Sequence, residues 1–391
     1  MKNYSKPKLI RTATVAISLN ILLKGQLAFL NSHYDVVAVS GADAHLETIA
    51  EREGVRVVSV PMSRSIAPIK DLISLVKMYF LFKKEKPQIV HSITPKAGLL
   101  SMTAAYFAGV PVRMHTFTGL IFPYKKGLMQ TLLLFMDKVL CRFATHIFPE
   151  GEGVKNDLLL YKVTTKPLHV LANGNVNGID TAYFDSGQVS ETELITLRQE
   201  LQLTAGDFIF VFVGRLVADK GVNELVAAFS ELSKSNTHCK LLLVGPLESE
   251  LDPLSPATMQ AISNSRAIIS VGFQSDIRSY LSISNVFVFP SYREGFPNVV
   301  LQAGAMGLPC IVTNISGSNE IIQNNTNGIV IPVQDTQSLL TQMELLLRDK
   351  VLTNNLAQSA REIIVRKYKQ QMVWLAVLDT YKKNIMNERR K

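Results

Sequence analysis

The stretch Phe208-Ile-Phe-Val-Phe-Val-Gly214-Arg215-Leu-Val-Ala-Asp-Lys220-Gly221 opens on six consecutive apolar residues and closes on two cations between two glycines. A run this short and this rich in β-branched and aromatic side chains reads as a strand buried on both faces, the kind found in parallel sheets. The residues after it, Asn223–Ser233, carry helical spacing, so Gly214, Arg215, Lys220 and Gly221 fall on a strand-to-helix loop. Two cations beside helix amides on such a loop can clamp a diphosphate. The same residues would also serve as a solvated loop with two ordinary surface charges.

The pattern continues outward. Further strands are expected at Lys240–Gly245, Ala267–Val271, Val286–Pro290, Cys310–Thr313 and Gly328–Val333, with helices at Asn298–Met306 and Thr336–Arg348. Towards the amino terminus, strands are expected at Leu9–Ala16, Asp35–Ser40, Val55–Val60, Ile89–Ser92, Val112–Thr116, His146–Phe148 and His169–Leu171. Helical stretches Ile69–Lys84, Lys96–Ala108 and Gly127–Phe143 lie between them. Strand–helix alternation over 391 residues predicts an α/β chain of two tandem doubly wound, Rossmann-like domains, since one core rarely grows past about 250–300 residues. The polar stretch Asp180–Gly206 reads as the connection between residues 1–180 and 181–369, and the amphipathic tail (370–391) as a helix packing back. Ligands of such sheets bind beyond the carboxyl ends of the strands, here in a cleft between the domains.

A second loop carries chemistry: Phe289-Pro-Ser-Tyr-Arg-Glu294-Gly-Phe-Pro-Asn298-Val-Val-Leu-Gln302-Ala. Glu294 sits where a carboxylate can accept hydrogen bonds from sugar hydroxyls. Gly295 and Pro297 set up a helix start whose amides at Phe296, Asn298 and Val299 would face an anion. Gln302, four residues after Asn298, could reach a ribose.

The charge is lopsided. Residues 1–180 hold 22 Lys/Arg against 12 Asp/Glu, a net +10, whereas the remainder holds 19 against 20. A basic half points to an anionic partner such as acidic lipid or a diphosphate-bearing substrate, or to a solubilising surface. The helices Lys70–Lys84 and Tyr124–Arg142 combine apolar stripes with lysines, which suits either a core-facing helix or contact with an anionic membrane surface. Nucleic acid is not expected, for no basic platform interleaved with aromatics is present. Cys141, Cys239 and Cys310 are widely spaced and show no metal-ligand pattern, which fits a reducing compartment. With no signal peptide and no apolar run of about 18 residues, the expectation is a cytoplasmic protein, soluble or peripheral at the inner face of the cytoplasmic membrane. No Gly-x-Gly-x-x-Gly follows the first strand, which argues against a dehydrogenase.

Taken in order, Gly214-Arg215…Lys220-Gly221, Glu294-Gly-Phe-Pro-x4-Gln302-Ala and Gly307-x-Pro309 resemble the retaining GT-B glycosyltransferases of family 4. Asp276-Ile-x3-Leu281, Phe287-Val-Phe-Pro-Ser291 and Asn319-Glu320…Gly328 match in the same order. In the first half His91-Ser-Ile-Thr-Pro-Lys-Ala-Gly-Leu99, Leu22-Leu-Lys-Gly-Gln26 and Asn177-Gly-Ile-Asp180 are similar to segments of capsule and exopolysaccharide members. The resemblance spans about residues 8–385. It implies a GT-B fold and metal-independent transfer of a hexose or N-acetylhexosamine from a nucleotide-diphosphate sugar, UDP-sugar favoured, with retention of configuration. The implied acceptor is a glycan or lipid-linked oligosaccharide of bacterial surface polysaccharide, held on the amino-terminal domain.

Residue by residue, the resemblance implies that Arg215 and Lys220 stabilise the leaving diphosphate and that Glu294 holds the sugar. It also implies that the loop around Gly25 approaches phosphate or acceptor, that Val271–Phe273 and Ile277 wall the base, and that Trp374 and Tyr381 lie on a helix returning to the first domain. The chain departs from the family twice. Gln302 replaces a second glutamate, and in His115-Thr-Phe-Thr118-Gly119 the position of the family's reacting-site histidine is Thr118, which leaves His115 as the catalytic candidate or as a structural histidine. A nucleotide-sugar epimerase of the same fold and a sugar-nucleotide-binding scaffold without catalysis remain as alternatives.

Overall fold

The structure is a computed structural model that describes residues 6–63, 65–250 and 252–388. The chain divides into two compact units: one runs to Gly178 and takes in Gln370 onward, and the other is Ile179–Lys369.

The first unit is a six-stranded parallel sheet of β1 (Lys8–Val15), β2 (Asp35–Gly41), β3 (Arg56–Ser59), β4 (Ile89–Ser92), β5 (Val112–Phe117) and β6 (His146–Pro149), in the order β3-β2-β1-β4-β5-β6. The strands are parallel because each is followed by a helix that returns the chain over one face, and burial on both faces suits apolar stretches such as Val36–Val39 of β2. His169–Leu171, expected as a strand, is not one. Pro167 lacks an N–H for a ladder, and, among the described residues, the one bridge to β6 beside the segment is from Leu168 to Ile147.

Helix Gln370–Glu388 belongs to this unit and buries Val373, Val377, Leu378 and Tyr381. Its seat is chemical as well as apolar. Arg11, an inward-facing cation on β1, donates to the Tyr381 hydroxyl and to His91 Nδ1 (2.9 Å), and Trp374 Nε1 donates to Asn177 Oδ1 (2.7 Å). The basic run after Glu388 lies outside the described residues.

The second unit repeats the design with β7 (Phe208–Val213), β8 (Cys239–Val244), β9 (Ile268–Ser270), β10 (Val286–Phe289), β11 (Cys310–Thr313) and β12 (Gly328–Ile331), in the order β12-β11-β10-β7-β8-β9. Helix Val222–Ser235 covers one face through Val222, Leu225, Val226, Phe229 and Leu232, spaced as a 3.6-residue period requires. The polar stretch read as the interdomain connection folds onto this unit. Its helix Glu191–Glu200, N-capped by Ser190, buries Leu197 in the second core.

Both sheets therefore change winding direction once, between β1 and β4 in the first and between β7 and β10 in the second. At such a point two neighbouring strands send their following chains to opposite faces and leave a crevice at their carboxyl ends.

Candidate functional site

In the second unit the crevice receives the two loops singled out from sequence, one from the end of β7 and one from the end of β10. Ala218–Lys220 forms a single tight turn, and Gly221 follows with φ +71°. A side chain there would be misplaced twice, because a Cβ on Gly221 would stand 2.1 Å from the Pro290 carbonyl oxygen, at the end of β10. That approach brings Lys220 to Glu294. The ammonium donates to Glu294 Oε1, which also accepts from Ser291 Oγ (3.0 Å), and both ionic side chains are about one-sixth exposed, at 16% and 17%.

Further bonds lock the two loops together. Tyr292 N donates to the Asp219 carbonyl (2.9 Å), Arg293 pairs with the Asp219 carboxylate (2.7 Å), and Asp219 N donates to Asp252 (2.7 Å). A third loop supports them from below. A Cβ on Gly317, at φ +75°, would meet the Gly295 carbonyl oxygen at 2.4 Å, so the chain after β11 presses directly on the Glu294–Phe296 turn. Arg293, Asp219 and Gly317 were not legible as partners in the sequence, because their pairing depends on β7, β10 and β11 being neighbours.

The other expected residues fall as follows. Gly214 ends β7, and Arg215 beside it is turned to Glu248 (2.7 Å) as an exposed ion pair rather than towards Lys220. Such a pair contributes only about 0–1 kcal/mol, so an incoming anion can displace it. Pro297 caps the helix Asn298–Ala305, which starts from the Glu294 loop; Phe296 and Pro297 are buried, while Gly295, Asn298, Val299 and Gln302 are half-buried around it. Phe273 is exposed beyond β9.

The first unit holds Gly25 and His115, and neither is displayed. The Gly25 amide donates to Glu53 Oε1 (2.9 Å), and Trp374 lies against its α-carbon. His115 is fully buried on β5. Its Nδ1 is 2.8 Å from Ser92 Oγ, and its ring lies so near Gly98 that a Cβ there would come within 2.5 Å. Burial drives its pKa down to about 3, so the ring is neutral. Thr118, at the position where the family's histidine was expected, is half-buried and donates to the Ile93 carbonyl (2.9 Å). Among the described residues, no cluster of three His, Cys, Asp or Glu side chains could hold a metal ion.

Residues 27–174 match the Glycosyl transferase 4-like domain, and residues 195–363 match Glycosyl transferases group 1. Over 376 residues the chain is 33% identical to the capsular polysaccharide biosynthesis glycosyltransferase CapM of Staphylococcus aureus, covering 96% of each. The chain is a GT-B glycosyltransferase of this family. The transferase is also 29% identical, over 86% of each chain, to the UDP-Gal:alpha-D-GlcNAc-diphosphoundecaprenol alpha-1,3-galactosyltransferase of Escherichia coli. The crystal structure of Anabaena Alr3699/HepE in complex with UDP and glucose superposes with a TM-score of 0.82 over 96% of this chain and all of that one, at 18% identity, a likeness of fold. Sugar transfer, rather than epimerisation or mere binding, is what the family performs. The loops at the β7/β10 crevice are the transferase's candidate donor site.

Proposed function

We propose that the transferase moves a hexose or N-acetylhexosamine from a UDP-sugar to a lipid-linked glycan acceptor in surface-polysaccharide synthesis, with retention of configuration, at an anionic membrane surface on the cytoplasmic side. The observation that carries the donor assignment is the Lys220–Glu294–Ser291 constellation at the winding switch of the second sheet. Lys220, together with Arg215 released from Glu248, neutralises the charge that builds on the diphosphate as the glycosidic bond breaks, and the start of helix Asn298–Ala305 adds its dipole. Glu294 orients the transferred sugar through its hydroxyls. Gln302 contacts the ribose, and Phe273, exposed beyond β9, covers the base.

The relatives' own names support the acceptor class: the Escherichia coli enzyme acts on GlcNAc-diphosphoundecaprenol, and the Campylobacter jejuni one, 26% identical over 85% of this chain, on N,N'-diacetylbacillosaminyl-diphospho-undecaprenol. The membrane reading rests on two helices of the basic unit. Helix Pro68–Glu85 buries only Ser74, Met78 and Phe82 and exposes Ile69, Leu72, Ile73, Val76 and Phe80 among four lysines. Helix Gly127–Phe143 exposes Leu128 (90%), Met129, Leu132 and Phe135. A core-facing helix with a solvated back would carry polar residues at these positions, whereas apolar side chains between lysines suit the interface of an anionic bilayer. No helix among the described residues is long and apolar enough to cross one.

The experiment is a screen of nucleotide sugars with polyprenyl-diphosphate-linked acceptors, read by mass spectrometry and by the anomeric configuration of the product. One UDP-sugar giving an α-linked lipid product is expected. Turnover only with soluble glycans, or inversion at the anomeric carbon, would refute the reading.

A further inference from the structure

A second crevice lies at the winding switch of the first sheet. The chains leaving β1 and β4 there are tied together, since Thr14 N and Oγ1 both lie 2.8 Å from Thr94 Oγ1. Above them opens a cavity of about 300 Å³, at the lower end of the range for small-ligand pockets. Its wall is mainly apolar, with Val15, Leu99, Ile121, Phe122, Leu133 and Met136. Two ionisable groups reach it. Lys96 is committed, its ammonium held by both carboxylate oxygens of Asp71 at 2.7 and 2.9 Å. Asp137, on helix Gly127–Phe143, has no hydrogen-bond or ion-pair partner among the described residues.

Asp137 is half-buried, and a carboxyl at the edge of an apolar wall is a ready acceptor for a ligand N–H or O–H. Burial alone pushes Asp137 up to about 7, because the apolar surroundings disfavour its charge. A fitting occupant presents a hydrogen-bond donor to the carboxyl and methyl or ring C–H surface to the apolar part of the wall. Thr14, Ser18 and Thr94 also line the cavity and can pair with ring hydroxyls of either a hexose or an acetamido sugar, so the group that distinguishes the two is the acetamido substituent. An acetamido sugar matches both demands, with the amide N–H for Asp137 and the acetyl methyl for the wall. The cavity has room for one such residue. Ile121, part of the wall, is itself exposed beside the apolar side of helix Gly127–Phe143, so the mouth adjoins the surface argued above to meet lipid.

We propose that this cavity is the subsite for an N-acetylated sugar of the acceptor, with Asp137 taking the acetamido N–H and the apolar wall holding the acetyl group. The proposal rests on the acceptor reading given under the proposed function, and its test separates the two by measuring binding apart from turnover. Octyl N-acetylglucosaminide and octyl glucoside are titrated against the full-length protein by ligand-observed NMR, with UDP affinity followed as a check on the donor unit. The acetamido glycoside is expected to bind about 10-fold or more tightly than the glucoside. Asp137→Leu should abolish that preference, Asp137→Asn should keep part of it, and Met136→Trp, which fills the cavity, should remove binding of both glycosides with UDP affinity unchanged. Equal affinity for the two glycosides, absence of binding, or an intact preference in Asp137→Leu overturns the site. Selective binding without product from any lipid-diphosphate acetamido sugar leaves the subsite standing and sinks the acceptor reading.

Discussion

Replacing Lys220 with Met separates the two roles that its ammonium can have. In the folded protein it holds Glu294, and both side chains are about one-sixth exposed, between the surface and the buried limits for ion pairs. Surface pairs contribute about 0–1 kcal/mol, and breaking a fully buried pair costs about 3–5. Glu294 keeps the Ser291 hydroxyl as a donor, so the stability loss should sit near the lower limit, about 1–2 kcal/mol. A unit of this size would then melt about 2–8 °C lower. The catalytic effect should be far larger. Removing one charged or hydrogen-bonding group aimed at developing negative charge costs about 3–4 kcal/mol, or 10²–10³ in kcat. Methionine keeps the length and the packing against Phe289, whose ring centre lies 5.8 Å from the ammonium, so the missing charge is isolated. The assay is nucleotide release under saturating acceptor, paired with thermal melting. Turnover within about fivefold of the parent protein, in a variant with the expected small drop in melting temperature, would refute the leaving-group role of Lys220.

Three further perturbations follow from the same geometry. Gly221→Ala forces a Cβ to 2.1 Å from the Pro290 oxygen at a left-handed φ, so a loss of about 3 kcal/mol or more in urea unfolding is expected, together with loss of turnover, as the Lys220 turn is pushed off β10. Burial holds the folded-state pKa of His115 near 3, against an ordinary value near 6.5, and lowers that of His91 as well. The unfolded chain therefore takes up these protons first, and stability present above about pH 6.5 should fall towards pH 3 by up to about 1.4 kcal/mol per pH unit for each histidine. His115→Gln should lessen the slope of urea midpoints between pH 7 and 5, and an unchanged slope would count against it. Leu128→Asp with Phe135→Asp should reduce co-sedimentation with anionic vesicles by tenfold or more while leaving UDP affinity intact, and undiminished sedimentation would remove this helix from the membrane reading.

Family membership makes sugar transfer the activity, but the two units contribute to it with different legibility. The loops of the candidate donor site could be singled out from sequence because each lies directly after a buried strand, where a doubly wound sheet puts its ligands. The first unit gave weaker signals. Its expected histidine turned out to be a packed core residue beneath Gly98, and the carboxyl now proposed to meet the acceptor, Asp137, sits inside what reads as a plain amphipathic stretch.

The sequence by itself determined the strand–helix alternation, the two sheets and the loops that follow their buried strands, since runs such as Phe208–Val213 can be stable only when buried on both faces. It also determined which charges stand near one another along the chain. Only the tertiary structure decided which of them meet. Lys220 and Glu294 are 74 residues apart and pair because β10 lies beside β7, while Arg215, five residues before Lys220, turns away to Glu248. Sheet order and the close approach of Gly221 and Gly317 to neighbouring backbone set those distances, and no local propensity encodes either.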